Sequence, residues 1–231
     1  MDSRGTNIFP RRGFLIALSG VDGSGKTTQI DLLEDKLRGT EPHLLRIWSR
    51  WRPISSLPLL AVLLRKGYAQ VHSTSSIGFV ETRIPRNGGL AFLWCLLTQV
   101  DNFMKTALKI IVPLFLGYTI ICDRYVLDML VEGMAGLGDP PTSGRLGYRL
   151  LRLLPRPNVA FLIDVTAELA FNRKPDLPTL GHFTERVRLY QELYRTVGVR
   201  ILDGEQTRQE IHGEIWGQVS RALRSTGGVY N

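Results

Sequence analysis

Eight consecutive residues near the N-terminus have the types and spacing of a phosphate-binding loop. Residues 20–27 read Gly-Val-Asp-Gly-Ser-Gly-Lys-Thr, which fits the pattern G-x-x-x-x-G-K-T. The glycines of such a loop let backbone N–H groups turn toward phosphate oxygens. Lys26 can reach the outer phosphates, and the hydroxyl of Thr27 can hold Mg²⁺. The residues predicted to bind a nucleotide are Gly20, Asp22, Gly23, Ser24, Gly25, Lys26, Thr27 and Thr28.

The segments on either side of this phosphate loop predict the elements that the motif needs. The apolar run 14–18 predicts a buried strand ahead of it. A helix pattern follows, with Ile30, Leu33 and Leu37 on one face. Strand, loop and helix in this order are the expected context, and the helix N-terminus adds a dipole that favours bound phosphate. A chance glycine turn is the alternative, and motif and context together disfavour it.

A second candidate site follows another apolar segment. Residues 118–122 predict a strand, and Asp123-Arg124-Tyr125 comes directly after it. A carboxylate at a strand end beside a phosphate loop can hold Mg²⁺, directly or through water. Arg124 can clamp a phosphate with two hydrogen bonds. Asp123 and Arg124 could instead pair with each other to fix a loop, but the nearby phosphate loop favours a binding site. The predicted metal ligands of this site are Thr27 and Asp123.

The order of the predicted elements indicates an α/β fold. Five predicted strands alternate with helices, at 14–18, 43–48, 118–122, 158–163 and 199–202. Such alternation predicts a five-stranded parallel sheet with helices on both faces. Ligands of these folds bind at the carboxyl ends of the strands, where the phosphate loop and Asp123 fall. We predict one domain over residues 1–231, with a mobile loop near 65–89.

Composition narrows the range of partners and compartments. The chain has 231 residues and a net charge of +8, which favours acidic partners such as nucleotides. Cys95 and Cys122 both lie in apolar runs, so we expect buried free thiols and a reducing compartment, the cytoplasm. Four histidines show no ligand spacing, and polar residues interrupt the long apolar region 90–122. We therefore expect no structural metal and no transmembrane segment.

Four motifs follow one another along the chain: Val-Asp-Gly-Ser-Gly-Lys-Thr-Thr-Gln at 21–29, Asp-Arg-Tyr at 123–125, Leu-Ile-Asp-Val at 162–165 and Phe-Thr-Glu-Arg-Val-Arg-Leu-Tyr at 183–190. Together they resemble the thymidylate kinases and the wider superfamily of kinases like them. The resemblance covers nearly the whole chain in order. It implies a nucleoside-monophosphate-kinase fold, ATP as the donor, Mg²⁺ as a cofactor, and transfer of the γ-phosphoryl group to dTMP.

The resemblance also implies roles for individual residues. Lys26, Asp123 and Arg124 match the family's phosphate lysine, acid and phosphate-binding arginine. Asp22 matches the acidic position that contacts the acceptor sugar. The phosphate loop lacks the arginine that some members carry. A lid segment near 173–183 resembles the branch that supplies the cation there instead, so the predicted catalytic residues are Lys26, Asp123, Arg124, Arg173 and Lys174.

The acceptor half departs from the family pattern. Arg50-Trp51-Arg52-Pro53 stands where the family has an Arg-Glu-Pro-Gly type loop. A stripe formed by Thr98, Asp101 or Asn102, Lys105 and Lys109 lies along the helix predicted at 90–116 and faces either solvent or a cleft. Asp128 replaces a serine and is either a base or a structural partner of Arg124. The predicted acceptor-binding residues are Asp22, Arg50, Asn102, Arg124 and Asp128.

Three functions fit these residues. The first is a nucleoside-monophosphate kinase of the dTMP type. The second is a kinase of the same fold that phosphorylates a hydroxyl of a nucleoside or sugar-like metabolite, with Asp128 or Asp22 as general base. The third is a nucleotide-binding module with little turnover, docked to nucleic acid or anionic membrane by its basic surface. Lysine and arginine are spread over the whole chain, which disfavours nucleic acid as a partner; a homodimer stays open.

Overall fold

A parallel β-sheet forms the centre of the molecule. The computed structural model describes residues 13–48, 57–67, 69–73, 78–82, 89–135, 149, 151–174 and 179–226. The strands are β1 (Phe14–Ser19), β2 (Leu44–Trp48), β3 (Ala69–Ser73), β4 (Gly78–Thr82), β5 (Thr119–Asp123), β6 (Val159–Asp164) and β7 (Arg200–Asp203). Five of them form one sheet in the order β2-β5-β1-β6-β7, with every neighbouring pair parallel. The predicted sheet and its five strands are confirmed.

Helices cover both faces of this sheet. They are α1 (Lys26–Arg38), α2 (Leu57–Arg65), α3 (Gly89–Phe115), α4 (Val126–Met134), α5 (Ala167–Arg173), α6 (Leu180–Val197) and α7 (Arg208–Ser225). The long helix predicted at 90–116 is α3, which contains Pro113 near its end. Within the described part of the chain, no helix combines the length and the apolar character needed to cross a membrane.

The alternation of side chains along β1 explains how the faces are filled. Phe14, Ile16 and Leu18 belong to a buried cluster with apolar residues of α1 and α7. Leu15 and Ala17 belong to a second cluster with residues of α3 and α4. Successive side chains of a strand point to opposite faces, so an entirely apolar strand must be covered on both. The central strand is thus fixed from both sides, and the loop that follows it starts from a rigid support.

A two-stranded hairpin lies within the stretch predicted as a loop near 65–89. β3 pairs antiparallel with β4, from Ala69 opposite Thr82 to Ser73 opposite Gly78. Sequence reading missed these strands because each has five residues and the segment between them is rich in serine and threonine. Residues 83–88 lie outside the described part of the chain. The mobility of this stretch stays a prediction.

The N-terminus of α7 has a capping box formed by Thr207 and Glu210. The Thr207 hydroxyl accepts from the Glu210 N–H at 3.3 Å, and the Glu210 carboxylate accepts from the Thr207 N–H at 2.9 Å. We expect Thr207→Ala to lower the free energy of unfolding by about 1 kcal/mol, because it leaves a helix N–H without its partner. Urea denaturation measures the change. Glu214→Ala, an exposed substitution in the same helix, is the control; equal stability of the Thr207 variant and wild type would contradict the role of the cap.

Candidate active site

The phosphate loop joins β1 to α1 at the carboxyl edge of the sheet. Gly25, the N-cap of α1, has φ +93°, a left-handed conformation that favours glycine. Glycine has no side chain with which to cap the helix, so the N–H groups of the first turn are available to a ligand. A helix N-terminus with available N–H groups binds anions through these donors and through the helix dipole. The local geometry therefore fits phosphate.

The middle of the loop packs against α5, the helix that precedes the lid segment. At Gly23, where φ is +84°, an added Cβ would lie 2.6 Å from the backbone oxygen of Ala170. No real side chain tolerates that approach, so glycine is needed for the contact. Arg173, at the end of α5, donates from Nη1 to the Gly23 carbonyl at 3.3 Å. The structure thus places Arg173, predicted to be catalytic, against the phosphate loop.

Lys26 is buried within the loop itself. Its Nζ donates to the carbonyls of Gly20 and Val21 at 2.6 and 2.7 Å and lies 3.3 Å from the Ser24 hydroxyl. An ammonium has three N–H donors, so these contacts occupy all of them. Phosphate oxygens must therefore replace part of this set when a nucleotide binds. Burial, with a smaller contribution from the Arg124 cation, lowers the pKa of Lys26 to about 8.

This lowered pKa predicts how nucleotide affinity depends on pH. With a pKa of about 8, about nine tenths of Lys26 carries its proton at pH 7 and about one tenth at pH 9. We expect a non-hydrolysable ATP analogue with Mg²⁺ to bind about tenfold more weakly at pH 9 than at pH 7, as calorimetry would measure. Lys26→Arg, which keeps its charge, should show little of this change. A wild-type affinity that is constant over this range would contradict the prediction.

The same ionisation has an opposite effect on folding. Because the pKa of Lys26 is lowered from 10.5 on folding, the unfolded chain binds this proton more tightly. The contribution of Lys26 to the free energy of unfolding therefore increases as the pH rises from about 8 toward 10.5. Deprotonation of Lys26 at high pH therefore weakens nucleotide binding without destabilising the fold. A melting curve at each pH distinguishes loss of nucleotide affinity from unfolding.

Arg124 lies directly after β5 and contacts the loop. Its φ of +71° is uncommon for a residue with a side chain, and its N–H donates to the Leu18 carbonyl at 3.0 Å. Its guanidinium is hydrogen-bonded to the carboxylate of Asp22 and lies 3.7 Å from that of Asp128. Burial alone would lower the pKa of Arg124, but these carboxylates raise it above its ordinary value. The structure therefore brings together Asp22, Arg124 and Asp128, three predicted acceptor-site residues.

Asp128 is buried beneath the loop, with 1% of its surface exposed. One carboxylate oxygen accepts from the Gly20 N–H at 3.4 Å and the Tyr190 hydroxyl at 2.7 Å. The other accepts from the Tyr125 N–H at 2.9 Å, which completes a capping box at the start of α4. Because both oxygens are engaged and shielded from solvent, this geometry favours a structural partner of Arg124 over a general base.

The two predicted magnesium ligands lie on the elements that flank the phosphate loop. Asp123 is the last residue of β5 and stands beside Leu18 of β1, two residues before Gly20. Burial raises the pKa of Asp123, while Lys26 and Arg124 act in the opposite direction. Thr27 lies in the first turn of α1 and is exposed. A hydroxyl and a carboxylate are hard oxygen ligands, and their chemistry fits Mg²⁺.

Some predicted residues cannot be placed as side chains. Arg50 lies outside the described residues, and for Asn102 the structure describes only its position in α3. On the polar stripe of the same helix, Thr98 and Asp101 are buried, so this part of the stripe does not face solvent. Lys174 is the C-cap residue that follows α5, and residues 175–178 of the lid segment are outside the described part.

Sequence reading assigned no site role to three residues on one face of α6. His182, Arg186 and Tyr190 follow one another at intervals of four, which places them on one side of a helix. Arg186 Nη1 lies 2.9 Å from His182 Nδ1, and burial lowers the pKa of Arg186. Tyr190 reaches Asp128 beneath the loop. The four-residue spacing could have identified a shared helix face, but not the loop that Tyr190 reaches.

The fold is a P-loop kinase fold of the nucleoside-monophosphate-kinase type. It is defined by the parallel five-stranded sheet, the phosphate loop after β1 and the Asp-Arg pair at the end of β5. No protein-family model matches the chain. Several curated proteins do match it, and many of them are named thymidylate kinase. The chain is thus similar, at 23–29% identity, to proteins of the thymidylate kinase-like family.

Three relatives show the extent of the similarity. A thymidylate kinase of Rhodopirellula baltica is 27% identical over 71% of this chain and 59% of its own length. A probable thymidylate kinase of Pyrococcus horikoshii is 29% identical over 92% of this chain and 98% of its own length. A thymidylate kinase of Carboxydothermus hydrogenoformans is 29% identical over 89% of this chain and 96% of its own length. The chain thus spans less than two thirds of the first relative and nearly all of the other two.

Proposed function

We propose that the protein is a kinase that uses ATP and Mg²⁺ to phosphorylate dTMP, forming dTDP and ADP. The observation that carries the proposal is Arg124, held beside the phosphate loop by Asp22 and Asp128. A guanidinium in this position can bind the phosphate of an acceptor next to the phosphates of the donor. The names and nearly full-length coverage of the Pyrococcus and Carboxydothermus relatives support the same activity.

On the donor side, the loop and α1 bind the triphosphate. The N–H groups of the first turn of α1 contact phosphate oxygens, and Lys26 exchanges part of its carbonyl contacts for the outer phosphates. Thr27 and Asp123 would hold Mg²⁺, directly or through water. When bound, Mg²⁺ supplies positive charge that offsets the charge of the phosphate oxygens. These residues orient the γ-phosphoryl group toward the acceptor.

On the acceptor side, Asp22 and Arg124 change partners. The acceptor phosphate takes a position on Arg124 that Asp22 occupies in its absence. Asp22, one quarter of whose side chain is exposed, then accepts from the sugar hydroxyl. Asp128 continues to hold Arg124 from the buried side. Arg50 and Asn102 are proposed as further acceptor contacts.

Transfer proceeds when an oxygen of the acceptor phosphate attacks the γ-phosphorus. The bond to the oxygen that bridges the β- and γ-phosphates breaks, and ADP leaves with that oxygen and its electron pair. Charge is spread over the oxygens of the moving phosphoryl group, so nearby cations stabilise the transition state. Arg173, which already contacts Gly23 of the loop, and Lys174 are proposed to supply this charge from the lid segment.

A neutral acceptor is a second candidate. Asp22 and Asp128 surround Arg124 and compensate its charge, an arrangement that favours an acceptor without a phosphate. In that reaction Asp22 would be the base, because it is partly exposed, whereas Asp128 is buried. The two candidates differ in whether the acceptor already carries a phosphate.

An acceptor panel distinguishes these functions. The protein is incubated with ATP and Mg²⁺ together with dTMP, other nucleoside monophosphates, thymidine or simple sugars, and ADP release is followed. We expect dTMP to give the highest rate. Phosphorylation of thymidine without phosphorylation of dTMP would contradict the proposal and support the neutral acceptor. No stimulation by any acceptor would favour a nucleotide-binding module.

The cellular setting is part of the same proposal. Cys122 is a free, fully buried thiol, and burial raises its pKa. A neutral, inaccessible thiol behaves as a small apolar side chain and takes no part in disulfide chemistry. This is consistent with the reducing cytoplasm that we propose as the location.

A further inference from the structure

A buried tyrosine on α6 contacts the first glycine of the phosphate loop. The hydroxyl of Tyr190 lies 2.7 Å from an oxygen of Asp128 and 3.1 Å from the carbonyl oxygen of Gly20, so it can donate to either. The N–H of Gly20 donates to the same Asp128 oxygen at 3.4 Å. The N–H of Gly20 is therefore held by Asp128, and its carbonyl lies within hydrogen-bond distance of the one hydroxyl that also serves Asp128. The position of the loop's first residue depends on them.

Helices on both sides of the lid segment hold the loop at different points. Arg173 of α5 donates to Gly23 in the middle of the loop, and Tyr190 of α6 reaches Gly20 at its start. We infer that Tyr190 is a positioning residue for phosphoryl transfer, coupling α6 to the phosphate loop and, through Asp128, to Arg124. This inference deepens the proposed function and rests on it for the kinetic measurement alone.

The contacts around Gly20 explain why one hydroxyl has a functional effect. The carbonyl of Gly20 also accepts from Nζ of Lys26 at 2.6 Å, so a shift of this peptide moves the acceptor on which Lys26 rests. Without the hydroxyl, the buried Asp128 carboxylate loses a short hydrogen bond and must rearrange toward its other donors. Displacements of about 1 Å can slow transfer about a hundredfold.

The test compares two tyrosine-to-phenylalanine substitutions on the same helix. Tyr190→Phe keeps the ring, which packs in a buried cluster with Val21, Leu127 and Phe183. Tyr194→Phe is the matched control, because the Tyr194 hydroxyl accepts from Arg195 on the exposed side. We expect Tyr190→Phe to weaken binding of a non-hydrolysable ATP analogue with Mg²⁺ about fivefold and to reduce kcat with dTMP more than about tenfold. Tyr194→Phe should match wild type in both.

A double-mutant cycle separates positioning from general destabilisation. Asp128→Asn removes the charge that Tyr190 contacts, so the combined variant should bind the analogue about as weakly as the weaker single variant. If the losses of analogue affinity in the two single variants multiply in the double variant, Tyr190 and Asp128 act independently, which would overturn the coupling. Wild-type analogue affinity and kcat in Tyr190→Phe, or equal losses in Tyr194→Phe, would also overturn it.

Analogue binding requires no acceptor, so the two proposals fail separately. A wild-type protein that binds the analogue but phosphorylates no member of the panel contradicts the proposed function and leaves the binding comparison intact. If Tyr190→Phe melts well below wild type, the Asp128→Asn variant alone is used to test the inference. Asp128→Asn with wild-type affinity and an unchanged melting temperature would then overturn the inference.

Discussion

Lys26→Ala is expected to slow phosphoryl transfer to dTMP by about a hundred- to a thousandfold. The alanine variant loses the ammonium that stabilises charge on the outer phosphates, and removal of one such group from a preorganised site has effects of this size. The ammonium now lies within hydrogen-bond distance of the Gly20 and Val21 carbonyls, so it needs to move little to meet a bound triphosphate. ADP release at saturating ATP and dTMP measures the effect.

A second lysine of the same helix provides the control. Lys36 lies on α1, and its Nζ is 4.8 Å from the centre of the Trp216 ring, on the α7 side. We expect Lys36→Ala to retain the wild-type rate. Full activity of Lys26→Ala would refute the assignment of the phosphate loop. Similar melting temperatures of wild type and both variants would show that the rates report on the site.

Arg124→Lys is expected to reduce kcat/KM for a phosphorylated acceptor by about a hundredfold. Lysine keeps the charge between Asp22 and Asp128 but cannot form the two parallel hydrogen bonds that a guanidinium makes with a phosphate. We choose lysine because alanine would leave two carboxylates without a cation, and breaking a buried ion pair in this way costs about 3–5 kcal/mol of stability. Steady-state kinetics with varied dTMP measures the loss.

The Arg124→Lys prediction concerns binding of the acceptor and not binding of ATP. The loss should appear in the KM for dTMP, whereas the affinity for an ATP analogue should change little. Arg188→Lys is the matched control, since Arg188 is exposed and paired with Glu192 on α6. An unchanged KM for dTMP in Arg124→Lys would contradict the role of Arg124 in binding the acceptor phosphate.

The place of the phosphate loop between a strand and a helix could be predicted because its residues are neighbours in sequence. The phosphate loop is continuous from Gly20 to Thr27, and its flanking strand and helix have clear apolar patterns. Alternation of strands and helices was sufficient to predict a parallel sheet, because parallel strands need crossover connections. The hairpin β3–β4 was missed, since two five-residue strands give a weak pattern without their pairing.

The buried contacts of the site could not be predicted, because they join distant parts of the chain. Tyr190 lies 62 residues from Asp128 and 170 from Gly20 in sequence. No local pattern distinguishes a tyrosine that reaches a loop from one that packs in a core. Asp128 was recognised as a departure from the family pattern, but its role beneath the loop follows only from its three donors.

The most direct test of the proposed activity is the identity of the phosphorylated product. The protein is incubated with Mg²⁺, dTMP and ATP labelled on the γ-phosphate, and the products are separated and identified. We predict that the label appears in dTDP, on its β-phosphate, and that its formation matches the release of ADP. A label that remains in ATP and inorganic phosphate with dTMP, but enters a product when thymidine is supplied, would contradict the account.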